Sequence, residues 1–241
     1  MRFPLHIATD MMKWQFRNWR AGNARYPYVL MLEPLHTCNL ACIGCSPERY
    51  NGDLKDRLSL DECFEAVDQS GAPVVSICGG EPTIYPELTE LIDGIIARRR
   101  HIYLCTNGIQ LQRKLHLFEP GDGFNLNVHL DGSERHHDAS VRRAGVHAAA
   151  VEGIKAAKAL GFRVTTNSTV FVGRDPSDLH AFFDEMMALG VDGMMASPGY
   201  GYQQAPDQQH FLTRERSRDL FRRALAPGRE RGWKFNLSPL Y

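Results

Sequence analysis

Residues 28–49 read YVLMLEPLHTCNLACIGCSPER. An apolar run of strand length, YVLMLE, leads directly into Cys38, Cys42 and Cys45. Thiols at i, i+4 and i+7 in a loop can wrap one metal centre. A closed zinc site wants four ligands, and disulfides want an even count. On a [4Fe–4S] cluster, three thiolates leave the fourth iron without a protein ligand, and an open iron can bind a substrate or cofactor. The alternatives are zinc with His36 as fourth ligand, or free thiols. No second Cys/His pair appears at the spacing a structural zinc site needs.

Working outward, the chain alternates β-rich runs with helical segments. Strands are predicted at 28–33, 73–78, 101–105, 124–130, 162–170, 191–197 and 233–238. Helices are predicted at 59–70, 86–99, 109–117, 144–160, 177–189 and 213–226. Ser59 with Glu62 makes a capping box, and Gly161 and Gly190 stand where helices should end. This alternation implies parallel βαβ units, and hence an α/β fold: a full or partial TIM-like (β/α) barrel, with a doubly wound sheet as alternative. The barrel reading places chemistry at the C-terminal ends of strands. The cysteine loop, GGEP (79–82), TNG (106–108) and DG (131–132) follow the first four strands, all on that side. Residues 1–27 read as an N-terminal extension and 28–241 as the barrel domain.

The 241 residues carry 28 Lys plus Arg against 28 Asp plus Glu, so no overall field draws the chain to nucleic acid. Six cysteines, three of them clustered, suit a reducing cytosol better than a disulfide framework. No apolar run approaches the ~20 residues that span a bilayer. The N-terminal stretch is broken by charges and a proline, unlike a secretory signal.

CxxxCxxC after a first strand and GGEP after a second resemble the radical S-adenosylmethionine (SAM) superfamily. The resemblance implies that Cys38, Cys42 and Cys45 hold a [4Fe–4S] cluster and that SAM's methionine end chelates the open iron. An electron from a flavodoxin- or ferredoxin-like donor then cleaves SAM to methionine and a 5′-deoxyadenosyl radical. It also implies that Gly79, Gly80, Glu81 and Pro82 bind the SAM amino group, with Thr106 and Asn107 beside the adenosyl end. Asp131 matches the family's LDG. Arg142 falls where related enzymes place a basic residue near the SAM carboxylate, and Asn167 is a candidate ribose contact. The bland readings are turns, a solvated loop and a surface arginine; His136 and His137 read as surface residues.

Cys63 and Cys78 read as packing residues. Cys105 ends the third strand at the catalytic face, where its weak S–H bond makes it a candidate hydrogen-atom donor; simple packing is the alternative. The segment 10–20, DMMKWQFRNWR, interleaves aromatics with basic residues. It suits either an interfacial helix on lipid or a helix capping the barrel bottom with its aromatics buried. Tyr200 and Tyr202, in a glycine-rich loop after the sixth strand, are candidate linings of an apolar substrate pocket. With LEPLHTCNLACIGCSPERY and SPGYGY, the chain resembles the adenosylhopane synthases. That resemblance implies radical addition to the alkene of the triterpene diploptene, by a cytoplasmic protein peripheral to the inner membrane. Members of that family continue into a further cysteine-bearing region, so the sequence reads as truncated. A hydrogen-abstracting maturase or small-molecule enzyme is a second reading, and a non-catalytic iron–sulfur or zinc protein a third.

Overall fold

In a computed structural model, residues 4–46, 48–201, 203, 205 and 208–235 are described. Helix α1 (Leu5–Arg20) precedes β1 (Val29–Leu32) and the short α2 (Glu48–Asn51). Then α3 (Leu60–Ser70), β2 (Val74–Ile77), α4 (Leu88–Ala97), β3 (His101–Thr106), α5 (Leu111–Lys114) and β4 (Phe124–His129) alternate. Helices α6 (Glu134–Ser140) and α7 (Val146–Ala159) lead to β5 (Arg163–Val170), α8 (Pro176–Ala188), β6 (Gly193–Pro198) and α9 (Arg214–Leu225).

The six strands among the described residues pair in chain order, β1 to β6, and every pairing is parallel. A doubly wound sheet needs a point where strand order reverses. None occurs here, and the sheet curls into a half-barrel. Of the expected seventh strand, Phe235 makes a parallel bridge to Met194; residues 236–238 lie outside the described residues.

Strand patterning explains the half-barrel. Parallel strands covered on both faces are nearly continuously apolar. Here β4, FNLNVH, alternates. Phe124, Leu126 and Val128 join Val75, Ile77, Leu104 and Val164 in one core with Leu91, Ile95, Ile154, Phe182, Phe183 and Met186 from the helices. The opposite face carries Ser76, Tyr103 and Asn125 in one register row and Cys105, Asn127 and Thr165 in the next. The inside of the half-barrel, its chamber face, is therefore polar at mid-height, with Ser76, Asn125, Asn127 and Thr165 buried there.

The capping box forms, with the Ser59 backbone N–H donating to Glu62 Oε2 at 2.7 Å and the Glu62 N–H to Ser59 Oγ at 3.3 Å. Gly161 and Gly190 follow α7 and α8 in the left-handed region, φ 86° and 75°. Two expectations change. The stretch after β4 is a helix, α6, rather than a loop. Helix α1 does close the N-terminal end of the sheet, but with only part of its apolar surface. Ile7 and Asn18 are buried, Trp14 Nε1 donates to the Pro27 carbonyl at 2.9 Å, and Asp10 meets His101 at 3.1 Å. Phe16 and Trp19 stay exposed instead of entering the core.

Candidate active site

The cysteine loop is seated by three neighbouring turns. Against the turn after β2, Gly80 and Glu81 donate backbone N–H to the Leu35 and Thr37 carbonyls, each at 3.0 Å. A Cβ on Gly80 would stand 1.9 Å from the Thr37 oxygen and 2.4 Å from that of His36. The glycine is thus required where the turn meets the residues just before Cys38. From the turn after β3, Asn107 Nδ2 donates to Asn39 Oδ1 at 2.7 Å. Behind β4, Ile43 donates to the Ser140 carbonyl at 2.9 Å, and Leu40 packs on Val141 and Val146. Arg49 closes the loop, pairing with Glu33 at 2.9 Å and reaching His36 Nδ1 at 3.3 Å.

The three thiols are half-buried. Burial pushes Cys38 to about 11 and Cys42 to about 12, each raised further by a neighbouring cysteine; burial also raises Cys45, although Arg49 pulls it down. Sulfurs so placed resist becoming thiolates unless a cationic centre holds them. That donor set fits an iron–sulfur cluster with one iron open. A guanidinium against His36 Nδ1 makes that nitrogen a poor fourth ligand for zinc.

Glu81 is 1% exposed, and its carboxylate accepts from the Thr83 N–H (3.0 Å), Thr83 Oγ1 (2.5 Å), Thr106 Oγ1 (2.6 Å) and the Asn107 N–H (2.7 Å). Burial nevertheless pushes its pKa up. It ties the turn after β2 to the turn after β3, so GGEP and TNG form one unit, with Pro82 opening a short 3-10 turn, Pro82–Ile84.

Asp131 does the same between β4, β5 and α6. It accepts from the Thr169 N–H (2.8 Å), Ser140 Oγ (2.6 Å) and His129 Nε2 (3.0 Å). Burial works against its charge, but the His129 pairing together with the Ser140 and Thr169 hydrogen bonds holds its pKa below the usual value; burial lowers His129, but Asp131 and the Glu81 charge together raise it. His137, expected at the surface, is fully buried, and its Nδ1 accepts from the Asp131 N–H at 3.1 Å. Ligand-type atoms of His129, Asp131 and His137 lie within 4.8 Å of one another. The hydrogen bonds make this a structural relay behind the cysteine loop.

Cys105 faces the chamber, 3.5 Å from Ser76 Oγ and 3.4 Å from Asn127 Nδ2, which donates to its sulfur. Cys78, expected in the core, is half-buried and close enough for Cys105 to raise its pKa, after burial pushes it to about 12. Cys63 is buried packing, as expected. Asn167 pairs with His129 in the register of β5 and β4, on the chamber face. Arg142 is exposed, with φ 56°, in the turn after α6. Tyr200 is 64% exposed beyond β6, and Tyr202 lies outside the described residues.

A model of the radical SAM superfamily matches residues 32–186, from the end of β1 into α8. The chain belongs to the radical SAM superfamily. The cofactors of this radical SAM family are a [4Fe–4S] cluster and SAM. Residues 194–241 match a second family, a domain of unknown function, DUF3463. Among curated radical SAM relatives, mycofactocin maturase MftC of Mycobacterium ulcerans is 30% identical over 65% of this chain and 43% of its own length. GTP 3′,8-cyclase 1 of Mycobacterium tuberculosis is 30% identical over 62% of this chain and 45% of its own. The chain thus spans under half of these relatives. Streptococcus suis SuiB bound to S-adenosylmethionine superposes at a TM-score of 0.76 with 14% identity, covering 92% of this chain and 52% of SuiB. That likeness is one of fold.

Sequence reading missed Asn39, Arg49, His129 and Ser140. Each acts through contacts across 9 to 68 residues of chain, except His129, which meets Asp131 two residues on. Only the His-x-Asp spacing was visible in one dimension.

Proposed function

We propose that this chain transfers the 5′-deoxyadenosyl group of SAM to the alkene of an apolar triterpene, diploptene, giving adenosylhopane. The observation that supports addition is Cys105, a thiol on the chamber face flanked by Ser76 and Asn127. When bound by Cys38, Cys42 and Cys45, the cluster supplies the electron that splits SAM. Addition forms a bond between C5′ and the terminal alkene carbon, breaks the alkene π bond and leaves a radical on the neighbouring carbon. Closing that radical needs a hydrogen atom, and Cys105 S–H is the donor. One electron from a flavodoxin- or ferredoxin-like donor and one proton then restore the thiol. A hydrogen-abstracting reaction that closes its substrate radical by oxidation uses no such donor. Asn127 orients the sulfur, and Glu81 fixes the two turns that flank the cysteine loop.

An apolar substrate is supported by Met31, 62% exposed on the chamber face of the edge strand β1 beside Val29. A membrane-dissolved substrate also calls for contact with the inner membrane. The second reading is a hydrogen-abstracting maturase or small-molecule enzyme. The relatives favour it: one is a maturase, another a GTP cyclase, and SuiB has been solved with its precursor peptide SuiA.

Anaerobic reconstitution followed by SAM, a strong reductant and diploptene separates the two. An adenosyl–hopane adduct supports addition. Free 5′-deoxyadenosine with diploptene unchanged selects the maturase reading, and a reconstituted cluster that leaves SAM intact defeats both.

A further inference from the structure

The exposed face of α1 has no function in the site. Helix geometry, about 100° per residue, puts Leu5, Met12, Phe16 and Trp19 within about 60° of arc. The docked residues Ile7, Trp14 and Asn18 lie on the other side of the helix. The four stripe residues are 83%, 64%, 55% and 71% exposed, and the Phe16 and Trp19 rings lie 5.8 Å apart. Along one edge of the stripe run Lys13 and Arg20, and Arg17 stands farther round with its guanidinium 5.5 Å over the Trp14 ring; all three are exposed. Asp10 is the acidic residue of this helix, and His101 and Lys13 already hold it.

We propose that this ridge is a docking surface for an anionic lipid bilayer. The helix lies in the interface plane with Leu5, Met12, Phe16 and Trp19 in the acyl boundary and the three cations among acidic headgroups. Charge complementarity supports this occupant: Lys13 and Arg20 line one edge of the apolar stripe and Arg17 adds a third exposed cation farther round, in a chain of zero net charge. So does shape. A single convex helix ridge falls short of the ~800 Å² per partner that a stable protein interface buries, whereas a bilayer moulds to it and welcomes a Trp beside cations. Because α1 docks at the N-terminal ends of the strands, the stripe points away from the cysteine loop. Bilayer contact therefore leaves the catalytic mouth clear for an electron donor.

The inference holds whatever the substrate, and its failure removes this helix as the membrane contact while the diploptene assay reads adenosyl transfer separately. The test is co-sedimentation of the reconstituted protein with phosphatidylcholine vesicles carrying about a third phosphatidylglycerol, against phosphatidylcholine alone. Binding is expected to the anionic vesicles, to weaken in high salt, and to bring a blue shift of tryptophan emission that Trp19→Ser removes. Met12→Ser/Phe16→Ser/Trp19→Ser should abolish sedimentation while keeping the melting temperature and SAM cleavage. Lys13→Gln/Arg17→Gln/Arg20→Gln should weaken it about five-fold per charge. Equal sedimentation of wild type and both variants overturns the proposal. So does a stripe-dependent dimer in light scattering without vesicle binding.

Discussion

Gly80→Ala tests whether the turn after β2 exists to seat the cluster ligands. The added Cβ would stand 1.9 Å from the Thr37 carbonyl oxygen, about 1.4 Å inside the ~3.3 Å at which carbon and oxygen ordinarily meet. Both nearest oxygens are backbone, so no rotamer change relieves the clash, and the turn must move off the loop. That movement strains the Gly80–Leu35 and Glu81–Thr37 hydrogen bonds, each 3.0 Å. Leaving two buried donors unmade costs roughly 2–6 kcal/mol. Thr37 adjoins Cys38, so the loss falls on the first cluster ligand, and cluster binding should weaken by about 30-fold or more. Iron and sulfide per chain after anaerobic reconstitution, titrated against iron, read this directly.

Two controls isolate the mechanism. Gly121→Ala adds a Cβ with nothing within 4 Å and should be neutral within about 0.5 kcal/mol. Gly161→Ala also meets nothing but sits at φ 86°, so it should cost about 1–2 kcal/mol of stability with iron loading unchanged. Full iron at wild-type affinity in Gly80→Ala would refute the seating argument.

Glu81→Gln keeps the shape but turns an NH2 toward Thr83, Thr106 or Asn107, and should lower the unfolding free energy by about 2–4 kcal/mol in urea titration; an unchanged midpoint would deny the carboxylate its role as clamp. Cys105→Ala should keep SAM cleavage while the reduced adduct falls or loses its defined configuration, and an unaltered product removes the thiol from the reaction. Burial holds the His137 imidazole down at about 4, below the ordinary ~6.5. The unfolded chain therefore binds the extra proton first, and stability falls as pH drops from about 6.5 to about 4, by up to about 3 kcal/mol. His137→Asn should flatten that part of the urea stability profile, and identical pH slopes would place the imidazole in solvent.

What the sequence made legible was whatever repeats at short range. Strand and helix alternation, the capping box and the glycines after α7 and α8 are local, and they produced the right elements. The order of motifs after the first four strands then put the site at one end. Helix α6 escaped because ERHHDAS has no apolar stripe; its buried positions are His137 and Ser140, which look like surface residues until Asp131 is placed beside them. Helix α1 was legible as a helix, but not which of its sides docks: its seven large apolar positions belong to two faces, one docked and one exposed, and superposed in one dimension they blur any stripe.

The two acidic motifs show how scaffold and chemistry are divided. Glu81 and Asp131 end the turns after β2 and β4 and resemble ligand-binding carboxylates in sequence. In space each is nearly fully buried and accepts hydrogen bonds from its own protein. A carboxylate offers about four acceptor sites, and four donors already meet Glu81. An incoming ammonium is therefore better served by the carbonyls of the glycine turn that Glu81 shapes. A maturase and a GTP cyclase each match this chain at 30% identity, over 65% and 62% of its length. The candidates for discriminating between substrates are the chamber face around Met31, Cys105 and Asn167 and the segment after β6, which lies beyond the matched superfamily region.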